Sequence, residues 1–222
     1  MKQFFITGTD TDIGKTYISS IIFNLLGTNT CYYKPIQTGC IYKNNQIFIP
    51  DLDFVKFNSN ISKNENFSCS YSLEKPVSPH LSAKISNIKI DISNITNHFN
   101  NLKNKFENVL VEGAGGIFTP IDKDKPYFIY NLIKDLKIKT ILVTDTKIGT
   151  INHTLLTLNF LKRININVSG IVFNKFKNTY HEKDNIEFIT EYSNIENTLI
   201  IPDKNTNNQL NSNEILKFIN SI

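Results

Sequence analysis

Cysteine is scarce, and the three residues present, Cys31, Cys40 and Cys69, form no C-x-x-C pair. An odd count without paired spacing argues against a disulfide framework and points to a reducing compartment. No spacing of His, Cys, Asp and Glu suggests zinc. There is no run of four or more basic residues, and the formal net charge is only +4, so nothing marks a nucleic-acid-binding face. No apolar stretch approaches the ~20 residues that cross a bilayer. The opening Met1-Lys2-Gln3-Phe4-Phe5-Ile6 lacks a long signal-peptide core before the first glycine. Ser19 and Ser20 fall inside a helical stretch with no paired His or acid, which removes a nucleophile triad. No internal repeat occurs. From these absences we expect a soluble cytoplasmic protein whose partners are small molecules, with no nucleic acid and no membrane among them.

Hydrophobic residues make up 40% of the chain and charged residues 20%, over 222 positions. That composition supports one sizeable core without disulfide or metal support, and a single domain is expected. Short apolar runs at Phe4–Thr7, Thr30–Tyr33, Val109–Val111, Thr140–Thr144, Val168–Phe173 and Leu199–Ile201 read as strands. Amphipathic stretches at Lys15–Leu26, Ile151–Lys162, Lys183–Tyr192 and Glu214–Ile219 read as helices. The strand runs are continuous rather than alternating, which indicates cover on both faces. Strands that alternate with helices predict an α/β fold, a parallel sheet with right-handed crossovers and ligands at the strands' carboxyl ends. The more polar stretch at about 44–105 reads as a less regular insertion over one edge of the site.

Gly8-Thr9-Asp10-Thr11-Asp12-Ile13-Gly14-Lys15-Thr16 reads as a phosphate-binding loop of the G-x-x-x-x-G-K-S/T type. Its glycines permit close backbone approach, and its N–H groups and the following helix's positive end face the phosphates. Lys15 would reach the terminal phosphates, and the Thr16 hydroxyl would ligate Mg²⁺. The flanks fit: an apolar strand comes before and an amphipathic helix after. Asp12 is the loop carboxylate free to meet a cation or a substrate amine, and Asp10 serves equally well as a solvated loop residue.

Phosphoryl transfer is mostly positioning and neutralisation of charge, so the loop needs helpers. Glu112 ends a buried strand and precedes Gly113-Ala114-Gly115-Gly116, the place for a metal-facing carboxylate with backbone close to a ligand. Asp51 in Pro50-Asp51-Leu52-Asp53 is a further candidate for Mg²⁺, with Asp53 as its competitor and helix capping as the plainer role of either. Lys34 opens Lys34-Pro35-Ile36-Gln37-Thr38-Gly39 after the second strand, where it would neutralise developing negative charge and Thr38 would meet a substrate. Lys147-Ile148-Gly149-Thr150-Ile151-Asn152-His153 opens a helix whose N–H groups could hold a carboxylate. His153 is expected to pack or hydrogen-bond within that helix, and His98 and His181 to lie on the surface.

Taken together, G-T-D-T-D-I-G-K-T, K-P-I-Q-T-G, P-V-S-P-H, V-E-G-A-G-G-x-x-x-P and K-I-G-T-I-N-H resemble the dethiobiotin synthetase family, in order and approximate spacing, from residue 4 to about residue 174. The resemblance implies a P-loop NTPase-type fold with helices on both faces of the sheet, working as a homodimer. It implies that ATP, Mg²⁺ and CO₂ convert 7,8-diaminopelargonate to dethiobiotin through a phosphorylated carbamate. It implies Lys15 and Lys34 as catalytic, and Thr16, Asp51 and Glu112 as the magnesium set. ATP would be held by Asp12, Ile13, Gly14, Lys15, Thr16, Tyr17, Gly113, Ala114 and Gly115. At the adenine end would lie Asn174, Lys175, Pro202, Asp203 and Lys204. Thr11, Thr38, Gly115 and Gly116 would line the diamine site with the Pro76–His80 segment as a wall, and Gly149 and Asn152 of the neighbouring subunit would receive the substrate carboxylate. Tyr180 is the candidate for the family's partner-subunit tyrosine, and Gln209 for a ribose contact. Two rivals remain: a partitioning-type switch ATPase, and a cobyrinate diamide synthase-like ligase. The first usually carries an additional lysine early in its loop, where this chain has Thr9 to Asp12. The second normally needs a glutaminase domain with a catalytic cysteine.

Overall fold

The structure is a computed structural model that describes residues 1–44, 46–61, 63–206 and 211–222. In chain order it runs β1 (Lys2–Gly8), α1 (Lys15–Leu26), β2 (Thr30–Thr38), the short pair β3 (Ile41–Lys43) and β4 (Gln46–Phe48), α2 (Pro50–Phe57), β5 (Phe67–Leu73), α3 (Pro79–Ile85) and α4 (Ile92–Lys105). It continues through β6 (Asn108–Glu112), the short pair β7 (Pro120–Asp122) and β8 (Tyr127–Phe128), α5 (Ile129–Leu136), β9 (Lys139–Asp145) and α6 (Thr150–Arg163). It ends with β10 (Val168–Phe176), α7 (Tyr180–Ser193), β11 (Thr198–Pro202) and α8 (Ser212–Ser221). Among the described residues no helix is long and apolar enough to cross a membrane.

Seven strands form one parallel sheet in the order β11-β10-β9-β1-β6-β2-β5. Successive residues of the central strands enter opposite cores, as the pleat requires. Phe5, Val109, Val111, Leu142, Ile171 and Phe173 join the core under α4, α5, α6 and α7. Phe4, Ile6, Leu110, Ile141, Val143 and Val172 join the core under α1, α2 and α8. Both faces are therefore dry, which is why these strands read as unbroken apolar runs. Burying each such side chain is worth about 1.5–3 kcal/mol. β1 lies between β9 and β6: on one side the chain runs outward from β9 to β11, and on the other β2 and β5 come first in sequence and β6 returns to lie beside β1. The reversal places a crevice at the carboxyl ends of β1, β6 and β2.

Two expectations need correction. The stretch at about 44–105, expected as a less regular insertion, contains α2, β5, α3 and α4, and β5 completes the sheet by pairing with β2 from Tyr32↔Phe67 to Thr38↔Leu73. Its sequence Phe67-Ser68-Cys69-Ser70-Tyr71-Ser72-Leu73 alternates polar with apolar residues because it is an edge strand, so it lacks the continuous run of the central ones. β2 also runs past Tyr33 and through Pro35. Its pairing with β6 stops at Tyr33↔Val111, and from there on its only ladder is with β5. A residue without an N–H is tolerated where one side of the strand has no partner to receive it.

Candidate active site

The loop after β1 differs in one respect from the pattern expected. Five residues, not four, separate Gly8 from Gly14, so Thr9 stands where the G-x-x-x-x-G-K-S/T pattern has its first glycine. Thr9 is docked on β9, its N–H donating to Val143 O at 3.1 Å and its hydroxyl 3.2 Å from Thr144 Oγ1. A Cβ at Gly8 would fall 2.4 Å from Ile13 Cδ1, so the Ile13 side chain would have to move to admit one. Gly14 has φ +94°, and a Cβ would fall 2.2 Å from Asn174 Nδ2. That amide donates to Ile13 O at 2.7 Å, pinning the loop to the end of β10. Lys175 donates from Nζ to Asp12 O. Asp10 accepts from the Thr11 N–H at 2.7 Å, as a solvated loop carboxylate would.

Lys15 and Lys34 face the same cavity, of about 750 Å³, together with Asp12, Gly14, Thr16 and Tyr17. Lys15 is buried, and its Nζ donates to Asp10 O at 2.7 Å, a partner without charge. Burial first, and then the charge of Lys34, bring its pKa down from the ordinary 10.5 to about 8. Lys34 has the opposite environment. Its Nζ lies 2.5 Å from Asp51 Oδ2, 2.9 Å from Glu112 Oε1 and 3.2 Å from Gly113 O. Burial alone would lower its pKa, but Glu112 and Asp51 outweigh burial and raise it. Burial would likewise raise Asp51, but the Lys34 charge and hydrogen bond, with one from Thr16, hold it below its usual range. Glu112 is only 1% exposed. It accepts from the Thr16 hydroxyl and Lys34 on Oε1, each at 2.9 Å, and from the Tyr32 hydroxyl on Oε2 at 2.9 Å.

The pair Asp51 and Asp53 separates by contact. Asp51 faces the cavity, whereas Asp53 accepts from the Ile49 N–H at 2.6 Å and caps the start of α2. Two carboxylates and a hydroxyl around one bound ammonium form a hard-oxygen set already shaped to a cation. Such a set suits Mg²⁺, which takes few protein oxygens and shares the rest with phosphates and water.

Asn174, Lys175, Pro202, Asp203 and Lys204 also line the cavity, as do Ala114 and Gly115. Lys204 Nζ sits 4.3 Å from the centre of the Tyr17 ring and 5.8 Å from that of Phe54. A second cavity of about 950 Å³ opens beside the first, and Thr11, Thr38, Ala114 and Gly115 line both. Gly116 and Pro76 to Pro79 line the second, opposite an aromatic wall in which Phe118 and Phe160 lie 4.4 Å apart. Ile13 and Gly113 take part through their backbone carbonyls only.

Some expected residues do not join this assembly within the chain. Gly149 and Asn152, at the start of α6, line neither cavity. Gly149 is a left-handed helix cap, and Asn152 and His153 are exposed. His153 thus does not pack within its helix as expected. Tyr180 is 87% exposed at the start of α7. Gln209 lies outside the described residues. His98 is not the surface residue expected: it is half-buried, bridging Ser68 and Ser70 at 2.8 Å each and lying against Tyr33. Tyr32, Phe54 and Asn205 are near the site without having been expected. Tyr32 sat inside an apolar run where only the sheet's pairing with β6 reveals Glu112 beside it.

Comparison with known proteins fits this geometry. A family model described as an AAA domain matches residues 2–209. The ATP-dependent dethiobiotin synthetase BioD of Fusobacterium nucleatum is 43% identical over 220 residues, 99% of each chain. That of Clostridium botulinum is 42% identical over 200 residues, covering 87% of this chain and 88% of the relative. Among solved structures, a plasmid partition protein from Borrelia burgdorferi superposes with a TM-score of 0.64 at 13% identity, over 99% of this chain and 96% of that one. The MinD cell division protein of Aquifex aeolicus gives 0.56 at 14% identity, over 100% and 87%. Identity that low speaks for a shared P-loop NTPase fold alone. The sequence relatives go further, at 43% and 42% identity over most of their length and of this chain: the chain belongs to the dethiobiotin synthetase family.

Proposed function

We propose that this enzyme closes a cyclic urea, converting 7,8-diaminopelargonate, CO₂ and ATP to dethiobiotin, ADP and phosphate, as a cytoplasmic homodimer. One substrate amine adds to CO₂ and loses a proton, giving a carbamate. A carbamate oxygen attacks the γ-phosphorus of ATP, and the bond to the ADP oxygen breaks. The second amine then attacks the carbonyl carbon of the mixed anhydride, phosphate leaves, and the ring closes. The carbamate and the γ-phosphoryl group of ATP are both anionic at the point of contact, so their approach must be neutralised. The observation that carries this reading is the placement of Lys15 and Lys34 on one cavity, beside the phosphate loop.

In this reading Lys15 holds the terminal phosphates and Lys34 the carbamate and the transferring group. Thr16, Asp51 and Glu112 would hold Mg²⁺, which would supply positive charge against the phosphates. Asn174 and the Pro202–Lys204 turn receive the base. The second cavity, with Thr11, Thr38, Gly115 and Gly116, receives the diamine. Its carboxylate reaches Gly149 and Asn152 of a second copy, which accounts for those residues lying outside both cavities of their own chain. The experiment is ADP release measured with each substrate withheld. Dependence on both the diamine and bicarbonate is expected. Release that ignores both and responds to DNA, lipid or a protein partner would instead support a switch ATPase.

A pH effect follows from Lys15. Its ammonium loses its proton above about pH 8 in the free protein, whereas bound phosphates favour the charged form. ATP affinity is therefore expected to be level below about pH 8 and to fall above it, by up to about tenfold per pH unit until the proton is lost from the complex as well. Calorimetric titration of a non-hydrolysable ATP analogue between about pH 7 and about pH 9.5 measures it.

A further inference from the structure

The two oxygens of Glu112 have different surroundings. Oε1 faces the cavity-lining groups Thr16 and Lys34, and Oε2 faces the core, where the Tyr32 hydroxyl holds it at 2.9 Å. Tyr32 has no exposed surface, and its ring is packed in the core under α1. β2 and β6 pair side by side, with Tyr32↔Leu110 and Tyr33↔Val111 in register, so the phenol is anchored by the sheet and not by a mobile loop.

A carboxylate gripped in this way has one oxygen to offer. That matters for cation choice. Mg²⁺ is small and keeps near-octahedral geometry with single oxygens, whereas Ca²⁺ takes more ligands and readily accepts both oxygens of one carboxylate. We propose that Tyr32 is a positioning residue that sets the preference of the site for Mg²⁺ over Ca²⁺, by holding Glu112 Oε2 in the core so that only Oε1 reaches the metal. The inference rests on the reading of Thr16, Asp51 and Glu112 as the metal set and adds a residue outside it. Tyr32 touches neither nucleotide nor substrate cavity; it acts through Glu112 alone.

The test is a cation competition on the full chain with a non-hydrolysable ATP analogue. Mn²⁺ is followed by electron paramagnetic resonance and displaced by Mg²⁺ or by Ca²⁺, with the analogue alone as reference. In Tyr32→Phe the ring stays and the grip is gone. The Mg²⁺-to-Ca²⁺ preference is expected to narrow about tenfold, mostly through tighter Ca²⁺, a size typical of losing a partner behind a metal ligand. A loosened fold would weaken both cations alike and leave the ratio unmoved, so a ratio within about twofold of the native one overturns the proposal. Glu112→Gln separates the two levels. If it leaves Mn²⁺ affinity unchanged, the metal set itself is misassigned. Should Tyr32→Phe fail to fold, infrared difference spectra of the native protein on Mg²⁺ loading, less those of Glu112→Gln, still decide. A wide splitting between the two carboxylate stretches marks one-oxygen ligation and is expected; the narrow splitting of two-oxygen ligation overturns the proposal.

Discussion

Lys34→Ala is expected to lose turnover and stability together. Its ammonium is buried, with Asp51 at 2.5 Å and Glu112 at 2.9 Å as counter-charges. Removing it leaves Glu112, 1% exposed, with two hydroxyl donors and no cation. Breaking a buried pair from one side typically costs about 3–5 kcal/mol, because the remaining charge is stranded. Turnover is expected to fall by at least about 10²–10³, the usual loss when one donor to a developing anion is removed. Chemical denaturation and ADP release on the same preparation measure both. Mg²⁺ with nucleotide should return part of the lost stability, since it brings a cation back to the same carboxylates. Near-native turnover would mean that this ammonium does not meet the reacting group.

Lys15→Ala is expected to lose turnover by a similar or larger factor while leaving the fold as stable as before, or more so. Lys15 has a carbonyl as its partner and no carboxylate in contact. Its pKa lies near 8, below the 10.5 of an unfolded chain, so its charged form burdens the folded state by about 3 kcal/mol. The sign follows from proton counting. Between about pH 8 and 10.5 the unfolded chain holds a proton that the folded one has released, so native stability rises with pH across that window. Below about pH 8 both states hold the proton, and the cost is fully present. In Lys15→Ala this rise should vanish, and denaturation midpoints at about pH 8 and about pH 10 should differ less than in the native chain. Two lysines on one cavity thus separate by their effect on the free protein. One is held by counter-charges before any ligand arrives, and the other gains its counter-charge only from the phosphates.

The elements legible in sequence were those that packing covers on both faces or that glycine punctuates. α1 runs over Lys15–Leu26 as expected because Gly14 and Gly27 stand at its two ends with positive φ. The central strands announced themselves through unbroken apolar runs. β5 did not, since an edge strand shows one face to the core and alternates. The extension of β2 through Pro35 was hidden because a missing N–H matters only if a neighbour waits for it, and the neighbour is known only from pairing. At the site, the residues carried by motifs, such as Thr16, Lys34, Glu112 and Asn174, gather on one cavity. Asp53 stayed in competition with Asp51 because the deciding difference lies in which carboxylate turns back to cap α2. Tyr32 was invisible for the same kind of reason: its neighbour comes from a strand 80 residues away.

The order in which the sheet is filled has a consequence for synthesis on the ribosome. The phosphate loop, both lysines, Asp51 and Glu112 all belong to the chain up to β6. The asparagine that pins the loop and the turn that walls the cavity lie on β10 and after β11, at the opposite flank of the sheet. A growing chain therefore displays its charged groups well before the loop between them has its clamp. Stabilisation of the emerging protein by nucleotide is therefore expected to come late, after those final strands have docked.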